Sequence, residues 1–135
     1  MSGFEIEALR RHPDPGPVTM LNLVKFRAQS LDGNGTGRDA YTRYTDIAQR
    51  LVEERGGRAV WVGLVDHVAL RESGDAEWDL ALLVYYPSRA AFIDMVTCPD
   101  YLRANVDRQN GVEKHVILAS TTMISVPFPQ SQDAV

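Results

Sequence analysis

Residues 78 to 102, WDLALLVYYPSRAAFIDMVTCPDYL, change their hydrophobic period along the way, and that change decides the fold. Up to Tyr86 the run is dense in large apolar and aromatic side chains, the pattern of a strand with both faces covered. Pro87 stops that strand, because it has no N–H to donate to a sheet ladder. Ser88 follows in the place of a helix N-cap, and Ala91, Phe92, Met95 and Val96 form an apolar stripe behind it. Cys98 precedes Pro99; the residue before a proline is pushed out of helical geometry, and proline suits the first position of a new helix. The stretch predicts strand, helix, break, helix. The second helix carries Tyr101, Leu102, Asn105, Val106 and Gln109 along one side and ends near Gly111.

Outward from there the same two periods continue. Downstream, KHVILASTTMISV (114–126) supplies a further strand. Upstream, RAVWVGLVDHVAL (58–70) is another, joined to residues 78–86 by RESGDAE (71–77), a polar turn of hairpin length. Before it, Tyr41, Tyr44, Ile47, Ala48, Leu51 and Val52 recur at three and four residues within RDAYTRYTDIAQRLVEERGG (38–57), one face of a helix. Thr36 or Asp39 can cap its start, and Gly56 or Gly57 can take the left-handed conformation at its end. PVTMLNLVKF (17–26) is the first strand, and LDGNGTG (31–37) marks a flexible loop after it. The order β-α-β-β-α-β predicts an α+β, ferredoxin-like fold: a four-stranded antiparallel sheet with both helices on one face. The expected organisation is an N-terminal arm (1–16), one folded domain (17–126) and a flexible tail (127–135).

Composition bounds the function. A chain of 135 residues builds a single core. A net charge of −4 without a basic cluster offers nothing to neutralise a phosphate backbone, so nucleic acid is an unsuitable partner. The single cysteine excludes an intrachain disulfide, and acids and prolines occupy the place where a signal peptide needs an apolar run; a reducing, cytoplasmic setting is expected. The apolar runs fall short of the ~20 residues that cross a bilayer, so no membrane is expected. Both parities of the first and third strands are apolar: Met20, Val24 and Phe26 against Leu21 and Leu23, and Leu80, Leu82 and Val84 against Ala81, Leu83 and Tyr85. Helices cover one face only. A two-fold copy of the same chain is the simplest cover for the other, which predicts a homodimer whose two sheets pack as a dimeric α/β barrel.

The run EWDLALLVYYPSRAAFIDMVTCPDYL, with MLNLVKFR, AYTRYTD and ERGGRAVWVG upstream, resembles the family catalogued as domain of unknown function 1330, in the dimeric α/β-barrel superfamily. The resemblance spans about residues 17 to 120. It implies the fold and the dimer and no established reaction; within the superfamily are cofactor-free monooxygenases, small isomerases and haem-handling proteins. This chain has Cys98 where an acid often precedes the Pro-acid-Tyr turn, and Asp107-Arg108 where a His-Arg pair often lies.

The residues themselves give a candidate pocket of Asn22, Tyr44, Trp61, His67 and Arg108. Asn22 is an amide among apolar neighbours and must hydrogen-bond to something when buried. Tyr44 and Trp61 are amphipathic aromatics facing a space between helices and sheet, His67 shares a strand face with Trp61 and Gly63, and Arg108 can pair with a substrate carboxylate. Asp66 and His67 point to opposite faces of a strand and make no dyad. Cys98 at a helix start has no histidine near it in sequence to act as base, so it reads as punctuation between helices. No spacing brings three metal ligands together, and no helical histidine offers haem an axial ligand; no cofactor is expected. The sequence thus points to a small-molecule-binding dimer, with a cofactor-independent enzyme (monooxygenase- or isomerase-like) as one form of it and a non-catalytic interaction or scaffold domain as the alternative.

Overall fold

The computed structural model describes residues 3–129 apart from 73, 75 and 76. Its elements are α1 (Ile6–Arg11), β1 (Val18–Phe26), α2 (Gly37–Glu54), β2 (Arg58–Leu64), β3 (Leu80–Tyr86), α3 (Arg89–Thr97), α4 (Pro99–Gly111) and β4 (Val112–Ser120). The strands form one open antiparallel sheet in the order β2-β3-β1-β4, the ferredoxin-like arrangement.

Directly paired residues share a face, so the register sorts the side chains. Met20, Asn22 and Val24 stand beside Leu80, Leu82 and Val84, and this face packs against Tyr41, Tyr44, Leu51, Phe92, Met95 and Tyr101 of the helices. The opposite face carries Leu21 and Leu23 with Ala81 and Leu83, flanked by Trp61 on β2 and Val116 and Leu118 on β4. It is apolar and uncovered, with Leu118 52% exposed. In β2 the register shifts between Ala59 and Trp61, leaving Val60 as an extra residue. The shift puts Ala59 on the helix side and Trp61 on the outer side.

Two strands are shorter than their apolar runs. β2 ends at Leu64 instead of continuing to residue 70: the N–H of Val65 still reaches the carbonyl of Asp79, but Asp79 itself is turned toward β1, donating its N–H to Val24 and accepting that of Phe26. The expected 71–77 turn includes 73, 75 and 76, which lie outside the described residues. β4 ends at Ser120 instead of 126. Its partner there is Thr19, and Pro17 closes off β1 by lacking an N–H for further rungs. Residues 121–129 are exposed and irregular; 130–135 of the expected tail lie outside the described residues.

The 31–37 segment is held by specific bonds despite its glycines. Asp32 accepts from the Ser30 hydroxyl and the Asn34 N–H, Leu31 donates to the Asn110 carbonyl, and Gly33 and Gly35 take the positive φ values the turns require. Thr36 and Asp39 then form a reciprocal capping box at the start of α2, and Gly56, with φ +82°, follows its end. Gly37 is needed for another reason: a Cβ there would overlap the Arg27 carbonyl oxygen and press on that of Gly111, where α2 and α4 meet. Gly37→Ala is expected to destabilise the fold by about 1–3 kcal/mol through this overpacking, measurable as a lower urea midpoint.

The N-terminal arm holds a feature that its sequence did not announce. α1 lies against α3, and Phe4, Ile6 and Leu9 pack on the core.

Candidate functional site

Two cavities lie between the helices and the sheet. The smaller, about 340 Å³, is bounded by Tyr41, Tyr44 and Ala48 of α2, Tyr101 of α4 and Asn22, Leu82 and Val62 of the sheet. The larger, about 600 Å³, is roofed by α1 and its flanks and bounded by Arg89, Arg108, His115, Met20 and Ala119. Phe4, Phe92 and Ile117 line both. Both volumes are in the range of small-molecule sites.

The smaller cavity is aromatic. Helical spacing puts Tyr41 and Tyr44 on the buried face of α2, and Pro99 at the first turn of α4 sets Tyr101 opposite them. The Tyr44 and Tyr101 hydroxyls are 2.9 Å apart, and their rings meet edge to face. Burial pushes the Tyr44 phenol well above the ordinary tyrosine range, reinforced by Tyr101, and raises Tyr41 likewise. These phenols stay protonated and act as hydrogen-bond groups, not as bases. Tyr101→Phe is expected to strand the buried Tyr44 hydroxyl and to lower stability by about 1–2 kcal/mol without unfolding the chain, as read by urea denaturation.

A polar chain connects the two cavities. Asn22 donates through Nδ2 to the Met20 carbonyl (3.2 Å) and receives His115 Nε2 on Oδ1 (2.9 Å). His115 Nδ1 lies 3.1 Å from Arg108 Nη1, and Arg108 Nε donates to Asn105 Oδ1. Since a guanidinium only donates, Nδ1 must accept, which puts the imidazole proton on Nε2, aimed at Asn22. Burial, with Arg108 adding to it, pushes His115 down to about 4, so the ring is neutral at pH 7. Arg108 also lies over the Phe4 ring at 5.7 Å.

The structure therefore divides the five expected residues. Asn22 and Tyr44 border the smaller cavity and Arg108 the larger, joined through His115. Trp61 and His67 border neither. The bulge at Val60 turns Trp61 to the outer face, 37% exposed and folded over Gly63, and His67 lies exposed beyond the end of β2. Cys98 links α3 and α4, its N–H bonded to the Met95 carbonyl and its side chain making no cap. Arg89, His115, Tyr101 and Phe4 are among the other residues that line the cavities. Tyr101 was visible as part of a helical stripe and Arg89 as the end of YPSR; His115 needed the register with β1.

No family model matches the chain and no curated protein is detectably similar to it in sequence. Among solved structures it resembles RPA0582, a protein of unknown function from Rhodopseudomonas palustris, at 30% identity over 93% of this chain and 96% of that one, with a TM-score of 0.82. A dimeric protein of unknown function and ferredoxin-like fold from Bacteroides fragilis matches at 16% identity over 79% and 97% of the two chains, TM-score 0.55. SnoaB, a cofactor-independent oxygenase from Streptomyces nogalater, matches at 12% identity over 84% and 99%, TM-score 0.55. The last two show the fold alone. Among the described residues no helix is long and apolar enough to cross a membrane.

Proposed function

Because the chain belongs to the family of the Rhodopseudomonas palustris RPA0582 protein, for which no function is known, we propose a role from its own cavities: it binds a small, largely apolar molecule between helices and sheet. The observation that carries this is the aromatic cavity of about 340 Å³, whose apolar walls converge on a few fixed polar groups, the Tyr44–Tyr101 pair and Asn22. Planar rings suit such walls. The Asn22–His115–Arg108 chain holds a neutral imidazole in one tautomer, the kind of preorganised dipole that cofactor-independent chemistry on a bound substrate requires. The fold shared with SnoaB supports that enzymatic form of the reading.

The working unit on this reading is a homodimer, closed across the apolar outer face into a barrel, and the dimeric Bacteroides fragilis protein lends support. The motifs quoted above favour placing the chain in the domain of unknown function 1330 family. The lone cysteine favours a cytoplasmic setting. A thermal-shift screen of neutral aromatic and alicyclic metabolites tests the binding role. Stabilisation by such compounds that disappears when Ala48→Trp fills the smaller cavity is the expected result; a screen in which none stabilises the protein favours the non-catalytic scaffold reading instead.

A further inference from the structure

We propose that the larger cavity, beneath α1, is a separate binding site for a small organic carboxylate, whose charged end is held by Arg89 and Arg108. Arg89 opens α3 yet is only 6% exposed. Its Nη2 donates to the Thr121 hydroxyl at 3.3 Å, while Nη1 is buried without a hydrogen-bond partner among the described residues. Arg108 spends its donors on two neutral groups, Asn105 and His115. Neither arginine has a carboxylate within 4.0 Å among the described residues, although Arg10, Arg43, Arg50, Arg55 and Arg103 all do. Both line the same cavity of about 600 Å³.

A guanidinium cannot shed its proton, so a buried one without a counter-charge is held at a cost that a bound anion offsets. His115, being neutral, adds no positive charge and competes for none. Glu5 also lines the cavity, from the arm, and forms no ion pair among the described residues. Apart from His12 and Thr121, the rest of the wall is apolar, with Phe4, Met20, Phe92 and Ile117. The ligand class that fits is therefore an acid with a hydrocarbon or aromatic body, not inorganic phosphate. An aspartate or glutamate from a second copy of the chain is the competing source of the negative charge.

The test uses the full chain in carboxylate-free buffer, with phenylacetate and hexanoate as probes and phenylacetamide, hexanamide and inorganic phosphate as controls, followed by calorimetry. The acids should bind at least tenfold more tightly than the amides. Arg89→Met should weaken acid binding tenfold or more while the protein melts at or above the wild-type temperature, since it removes an unpaired buried cation. Arg108→Gln should also weaken acid binding, and Ala48→Trp should leave it unchanged, which separates this site from the smaller cavity. Equal binding of acids and amides, tighter binding of phosphate, or acid binding that survives Arg89→Met in a folded protein overturns the proposal. So does an Arg89→Met variant that dissociates to 15.0 kDa particles while wild type binds no acid, because the charge then comes from the second copy.

Discussion

Leu23→Asp is expected to leave the protein unfolded at concentrations where the wild type is folded. Leu23 belongs to the outer face of the sheet, between Ala81 and Val116, and among the described residues no helix covers it. If a second copy covers that face, the aspartate becomes an unpaired carboxylate in a dry interface, at a cost of several kcal/mol. Its neighbour gives the matched control. Val24 is fully buried on the helix side, so Val24→Asp should unfold the chain through its core whatever the concentration. For the wild type, coupled folding and association predict that apparent stability rises by about 2.7 kcal/mol over a hundredfold increase in concentration. Light scattering that finds a 15.0 kDa particle, with an unfolding midpoint that stays put over that range, would sink the dimer.

The second large effect concerns pH. The His115 ring is held neutral by burial and by Arg108, which moves it from 6.5 to about 4 in the folded chain. The unfolded chain therefore takes up this proton first as pH falls. Stability should be highest above about pH 6.5 and decline from there toward pH 4, by about 3 kcal/mol in all at 1.36 kcal/mol per unit. Roughly 2 kcal/mol of this falls between pH 6.5 and 5, before carboxylates begin to titrate. Denaturation series at fixed ionic strength should show that slope in the wild type and its absence in His115→Gln. An identical slope in both proteins would assign the pH dependence to other groups.

Features encoded within a few residues were readable from the chain alone. Thr36 with Asp39, Ser88, and the Thr97-Cys98-Pro99 break each carry their own stereochemistry, and each sits where the spacing put it. The buried Asn22 amide could be recognised as needing a partner. Which partner could not, because His115 lies 93 residues away and reaches it only through the β1–β4 register. Trp61 was misplaced for a related reason: a single extra residue at Val60 reverses every facing after it, and alternation among uniformly apolar residues does not betray the reversal. His67 followed an apolar run that outlasts the strand. Arg89 had the local look of an exposed cation in a first helical turn; it is buried in the fold, where its partner Thr121 lies 32 residues away.

The extra residue in β2 also bears on how growth of an assembly is limited. β2 is an edge strand, and a straight edge offers a row of free N–H and C=O groups on which another molecule's strand can add, and another after it. With Val60 out of step, that row loses its regular spacing partway along, and an incoming strand finds no continuous ladder. Contact through the flat apolar face is different in kind, because a two-fold axis uses up the same patch on both molecules and leaves nothing to extend. A bulge of one residue thus protects against open-ended fibrils while leaving the self-limiting pair free to form.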